Sequence, residues 1–193
     1  MVKCDRYWPE LNEEWNFNDQ NIKDGIDIPN LSIKNIDETL DSNGDYILTT
    51  MELTSNETVK RVYHFYYFKW ADAKVPPSIE PLYNISEDIE NIRQMSSNPP
   101  PIPIVHCSAG VGRSGTFIAF DYLFRDSNKF IDLLSKKDYD DDDGPGSDND
   151  DPIYQTVYEL RAHRMMMVQT IYQYNFLYET ARGVYNKRRR SPV

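Results

Sequence analysis

Residues 102–124 read IPIVHCSAGVGRSGTFIAFDYLF, an apolar segment, a glycine-bearing turn and a second apolar stretch with no break between them. The first part, Ile102–His106, is predicted to be a buried strand, and a helix is predicted from about Ser114 to Phe124. Cys107 stands at the junction, and Arg113 follows six positions later. Gly110 and Gly112 let the chain curl so that successive N–H groups point inward. Such a nest at a helix N-terminus suits a tetrahedral dianion. Arg113 adds a planar fork that bonds two phosphate oxygens at once. The same positive surroundings lower a thiol pKa from about 8.5 to roughly 3.5–7.5. Cys107 is then a thiolate at neutral pH, able to attack phosphorus and form a covalent intermediate. A lone Cys after a strand is more often a small hydrophobe, and a Gly-rich turn is often only a turn. The whole string, in strand–loop–helix order, favours an anion-binding catalytic loop.

The rest of the chain supplies elements around this loop. Residues 9–44 are polar and rich in Asn and Asp, with a turn expected at Asn43-Gly44. Tyr46–Leu53 and Val59–Trp70 have strand character, joined through Thr54-Ser55-Asn56. A Pro-punctuated loop follows Trp70. Ile79, Leu82, Ile85, Ile89 and Ile92 fall at helical spacings within residues 79–97, and Asn98 with Pro99–Pro101 ends that helix. Two more helices are expected over residues 153–164 and 170–185. This order points to an α/β or α+β sheet protein.

Charge excludes some functions. The 193 residues suffice for one domain with a core. Lys and Arg number 21 against 31 Asp and Glu, a net charge of -10, so no basic stripe for nucleic acid is expected. Residues 138–151, DYDDDDGPGSDNDD, hold eight of the acids. An EF-hand needs Gly at its sixth position and Glu at its twelfth. Counted from Asp138, those positions hold Asp143 and Asn149, so a solvated, disordered insertion is the reading. Two cysteines, Cys4 and Cys107, form no disulfide framework and point to a reducing compartment. Neither a signal peptide nor a membrane-length apolar run is read in the chain. A cytoplasmic location without membrane contact is expected, with the nucleus open through the Lys187–Arg190 cluster.

Two further groups complete a hydrolytic site. A phosphate ester needs its leaving oxygen protonated, and Asp72, beside Trp70, is the candidate acid. A loop Asp taken alone is more often a solvated turn residue. Gln169 and Gln173, at i and i+4, would supply neutral amides to position a hydrolytic water. Alone they would be helix-surface glutamines.

Together these segments resemble the cysteine-dependent protein tyrosine phosphatases, in their tyrosine-specific branch. HCSAGVGRSGTF matches the signature loop, and RVYHFYYFKWADAKVP is similar to the strand leading into the mobile tryptophan loop. LRAHRMMMVQTIYQYNF resembles the late helix and glutamine loop, with His163 where Gln is usual. KCDRYWP at residues 3–9 resembles a segment from the middle of the family's domain. The resemblance implies a mixed twisted sheet flanked by helices, incomplete on the N-terminal side, over residues 1–186, with a basic tail at 187–193. It implies Cys107 as nucleophile, Arg113 as phosphate ligand and Asp72 as general acid and then base. The backbone of Ser108, Ala109, Gly110, Val111 and Gly112 would line the cradle. Ser114 would help the thiolate leave, His106 would tune the thiol, and Gln169 and Gln173 would manage the water. No metal or cofactor is required, and the implied partners are phosphotyrosine-containing proteins.

Two departures stand out. Ala71 occupies the place of the family's usual Pro between Trp and Asp, which frees φ there and slows loop closure. Nothing in the chain matches the family's earlier segments, including its phosphotyrosine-stacking loop. The alternative reading is therefore a truncated, non-catalytic phosphotyrosine-binding pseudophosphatase.

Overall fold

The computed structural model describes residues 5–17, 30–96, 99–135 and 151–190. Cys4 and the acidic stretch as far as Asp150 lie outside them. The element order combines one antiparallel sheet with five helices among these residues, as expected of the α/β (α+β) class. The chain divides into two compact units, Met1–Lys69 and Trp70–Val193.

The first unit is a meander of β1 (Glu14–Asn16), β2 (Leu31–Leu40), β3 (Tyr46–Ser55) and β4 (Thr58–Tyr67), hydrogen-bonded in that order. The two aromatic and β-branched strands form as expected, but β3 takes in Thr54 and Ser55 of the expected connection and β4 ends at Tyr67, short of Trp70. Between β3 and β4 the turn is Asn56-Glu57, with Asn56 in the left-handed region at φ 52°. Asn and Gly tolerate that region best, and Asn43-Gly44 likewise falls in the β2–β3 turn, with Gly44 at φ 67°. The strand β2 is a correction to the polar reading of residues 9–44. Its period-2 pattern is broken by a register shift between Asn35 and Asp37, which puts Leu31 and Ile33 on one face with Leu40 although the spacing in sequence is odd. On β4 the alternate residues His64 and Tyr66 stand in line, and Trp8 packs against both at ring separations of 4.4 and 5.3 Å. The YWP segment is thus anchored by aromatic contacts and by Asn35 Nδ2, which donates to the Pro9 carbonyl.

In the second unit the helices are α1 (Glu80–Met95), α2 (Gly112–Phe124), α3 (Ser127–Ser135), α4 (Pro152–His163) and α5 (Ile171–Arg190). Helix α2 is the hub, touching each of the other four. Its sequence explains this. Thr116, Ala119, Phe120, Leu123 and Phe124 are buried on a wide apolar face, and Ser114 and Gly115 are buried in its first turn. Tyr83, Phe120, Phe124 and Phe130 form an edge-on aromatic chain with neighbouring centroids 4.8–5.7 Å apart. Helix α3 has no counterpart in the sequence reading. Helix α5 continues through Arg190, where a tail from residue 187 is expected. At α4 the last acidic residue, Asp151, is the N-cap, accepting from the N–H groups of Ile153 and Tyr154 at 2.8 and 3.1 Å.

The predicted buried strand Ile102–His106 is the main correction. The segment forms no ladder, and Ile102 and Ile104 are 88% and 93% exposed. Its prolines explain part of this. In an extended chain the odd positions present their N–H groups to one edge, and Pro101 and Pro103 have none to present. Only the even edge, at Ile102, Ile104 and His106, retains a full set of donors. No helix among the described residues is long and apolar enough to cross a membrane.

Candidate active site

The chain leaves the exposed segment at His106, turns through Ser108–Val111 and enters α2 at Gly112. Gly110 takes φ +71°, a conformation costly for any residue with a Cβ. Val111 at the N-cap has no side-chain cap, so its side chain does not compete with an anion for the first-turn N–H groups of α2. Arg164 Nη2 donates to the Ala109 carbonyl at 3.0 Å and holds the outer wall of the turn.

Cys107 is half-buried inside this turn. Burial pushes its thiol up, but the Ser114 hydroxyl, the N–H groups of Ser114 and Gly110, and the Arg113 charge outweigh that and hold it down to about 7. Ser114 is itself buried, and its hydroxyl is the side chain that lowers the Cys107 thiol most.

Arg113 reaches from the first turn of α2 to the 70–75 loop. Its Nη1 donates to the Trp70 carbonyl at 2.9 Å, and its Nη2 lies 3.5 Å from Asp72 Oδ1. Its Nε is buried with no acceptor. A buried guanidinium N–H without a partner is costly, and a bound oxyanion would satisfy it. The structure therefore brings together Cys107, Arg113, Ser114 and Asp72, as the sequence predicts.

The tryptophan loop is compact. Trp70 is buried and its Nε1 donates to the Lys74 carbonyl at 2.7 Å, while Lys74 N–H donates to the Ala71 carbonyl at 3.2 Å. Ala73 stands at φ 57°, outside the favoured region for a non-glycine residue.

The two glutamines separate in role. Both amides crowd Gly112: a Cβ there would lie 3.1 Å from Gln169 Oε1 and 3.2 Å from Gln173 Nε2. Gln169 is exposed at the rim. Gln173 is fully buried, and its amide is committed, Nε2 donating to the Lys74 carbonyl and Oε1 accepting from Thr170 N–H, both at 3.2 Å. Gln173 ties the tryptophan loop to α5, a positioning task that spacing alone does not disclose. His106 is exposed, with its Nδ1 3.3 Å from the Cys107 carbonyl.

Other supports leave little trace in the sequence. Arg161 donates to the carbonyls of Met167 and Val168, both at 2.9 Å, and so fixes the turn ahead of Gln169. In that turn Met166 and Val168 take φ 68° and 57°, an outlying conformation for a β-branched residue such as Val168. Val168 N–H donates to the Val111 carbonyl at 3.1 Å, and a Cβ on Gly115 would sit only 2.5 Å from that same nitrogen. The glutamine turn rests directly on the catalytic loop at a glycine. A basic pair in LRAHR is the only sequence sign of these contacts. Among the described residues no cluster of His, Cys, Asp and Glu is placed to hold a metal.

Comparison with known proteins agrees with this geometry. The family description "Protein-tyrosine phosphatase" matches residues 1–182. Tyrosine-protein phosphatase 1 of Saccharomyces cerevisiae is 39% identical over 141 residues, 71% of this chain and 41% of the relative. Tyrosine-protein phosphatase 1 of Schizosaccharomyces pombe is 28% identical, over 91% of this chain and 28% of its own. This chain thus spans about two fifths or less of these curated relatives. In fold it is similar to a protein tyrosine phosphatase from Trypanosoma brucei, with a TM-score of 0.71 and 24% identity over 96% of this chain and 56% of that one. With its signature loop, acid-bearing tryptophan loop and glutamine turn gathered around one thiol, the chain belongs to the protein-tyrosine phosphatase family.

Proposed function

We propose that this chain hydrolyses phosphotyrosine in proteins through a cysteinyl-phosphate intermediate. One observation carries the reading: the Cys107 thiol is held down to about 7 within a turn where the buried Arg113 Nε lacks an acceptor. The phosphate dianion sits in the turn, its oxygens taken by the N–H groups of residues 108–112 and by Arg113. Cys107 Sγ attacks phosphorus as the phosphorus–oxygen bond to tyrosine breaks, and Asp72 gives its proton to the departing phenolate. In the free state Asp72 lies beside Arg113. A bound dianion engages that guanidinium and releases the carboxyl to face the leaving group. In the second step Gln169 orients a water, Asp72 takes its proton, and oxygen attacks phosphorus as the sulfur leaves. Ser114 hydroxyl stabilises that departing thiolate. The Arg113 charge and the N-terminal end of α2 supply the electrostatics of both steps. A free thiol of this kind also fits a reducing, cytoplasmic location and a signalling role. Turnover of p-nitrophenyl phosphate by the unmodified chain and by Cys107→Ser tests the reading. Hydrolysis lost in the variant is expected, and equal rates contradict it.

A further inference from the structure

Helix α4 presents Tyr154, Val157, Tyr158 and Arg161 at i, i+3, i+4 and i+7, one stripe of its surface. Opposite lies the start of α5, with Ile171 and Tyr174. Between them runs a groove of about 340 Å³, near the low end of the roughly 300–1,000 Å³ of ligand sites. Tyr154 and Tyr158 stack at 6.2 Å with an interplanar angle of 19°, making a flat aromatic wall. Tyr158 and Ile171 remain 65% and 63% exposed, so the walls keep apolar surface for an occupant.

The groove is continuous with the phosphate site. Gln169 lines it and also stands over Gly112 in the catalytic turn. A peptide whose phosphotyrosine enters that turn therefore passes the groove within a few residues. The chemistry of the lining selects the occupant. Arg161 is the one charged residue in it, and its Nε and Nη2 are already donating to the Met167 and Val168 carbonyls. Those two bonds turn the guanidinium toward the glutamine turn, and the lining offers no carboxylate to a basic side chain, while the tyrosines, Val157 and Ile171 offer apolar surface. Tyr174 is not free to swing toward a polar ligand. The Tyr178 hydroxyl gives its proton to Asp151 Oδ2 at 2.6 Å and so accepts from the Tyr174 hydroxyl at 3.0 Å.

We infer that this groove receives an apolar or aromatic side chain flanking phosphotyrosine in the substrate, and so selects among phosphotyrosine proteins. The inference deepens the phosphatase reading and rests on it. One extra methylene held in a hydrophobic pocket discriminates by roughly 10- to 200-fold, so a Leu or Phe only partly seated here still suffices for about tenfold over Ala.

The test uses the whole chain carrying Cys107→Ser, which binds without turnover. Fluorescence anisotropy measures its affinity for phosphotyrosyl peptides in which Leu or Phe is scanned through three positions on each side of phosphotyrosine in an Ala background. At one position Leu or Phe should tighten binding by about tenfold or more over Ala. Adding Tyr158→Ser and Ile171→Ser should remove that gain and leave the all-Ala peptide's affinity unchanged. A flat scan overturns the inference. So does a gain that survives both substitutions, or a loss shared equally by the all-Ala peptide. The phosphatase reading is judged separately, by p-nitrophenyl phosphate turnover in the chain that retains Cys107, because that small substrate does not reach the groove.

Discussion

Burial alone would keep the Cys107 thiol protonated at neutral pH, and the groups around it reverse that. The Ser114 hydroxyl, two loop N–H groups and the Arg113 charge bring it to about 7. The thiolate is the reactive form, so reactivity rises as pH rises through that value. Inactivation by iodoacetate should follow a single titration with its midpoint near 7, read as the pH dependence of the alkylation rate. Ser114→Ala removes a donor to the sulfur, so its midpoint should move to higher pH. An unchanged midpoint would remove Ser114 from the thiol's electrostatics. For Asp72, which lies beside Arg113 in the free state, Asp72→Asn should lower kcat by roughly 10²- to 10⁴-fold, the usual worth of a positioned acid. Phosphopeptide binding to that variant should persist, because the loop N–H groups and Arg113 remain. At this scale most of the site was readable in advance. Cys107, Arg113 and Ser114 are fixed by one short loop whose geometry is local. Asp72 stands out in the sequence because it follows a tryptophan shortly after a strand, and its carboxylate lies 3.5 Å from Arg113 Nη2. The bond from Gln173 to the Lys74 carbonyl spans 99 positions and leaves no periodic trace in the sequence.

Elements show where sequence patterns mislead. Ile102 and Ile104 have the composition of a core strand and are exposed, because Pro101 and Pro103 remove one edge's donors. Ile104→Ser should therefore change stability by no more than about 0.5 kcal/mol in urea unfolding, as surface substitutions do. Phe120, fully buried at the centre of the hub helix, should cost about 3–5 kcal/mol when changed to Ala. Reversal of that order would restore the buried strand. Gly115 ties two elements together, since a Cβ there would press on the Val168 nitrogen. Gly115→Ala should displace the glutamine turn and slow hydrolysis of the intermediate more than its formation, seen as a larger burst relative to steady turnover. Strand β2 escaped notice because its register shift breaks the alternation. Helices α1, α2, α4 and α5 were recognisable because each keeps a helical stripe or a clear stop.

Across the whole molecule the acidity is concentrated. Removing residues 138–150 takes away seven of the 31 acidic residues and leaves 24 against 21 basic ones, a change from -10 to -3. Asp151 must be kept, because it caps α4 and accepts from Tyr178. Loss of that cap costs about 0.5–2 kcal/mol. The deletion should speed association with phosphopeptides at low ionic strength and lose that advantage as salt screens it, while kcat stays unchanged. Stopped-flow binding to the Cys107→Ser chain reads this directly, and a rate indifferent to the deletion at low salt would contradict it. The central claim is a covalent phosphoryl group on Cys107. Acid quenching during turnover of a phosphotyrosyl peptide, followed by mass spectrometry of the peptide containing residue 107, measures it. A phosphoryl adduct on Cys107 that forms in a burst and disappears with Cys107→Ser is the predicted result. Turnover that continues in Cys107→Ser, or proceeds with no adduct at any quench time, would contradict it.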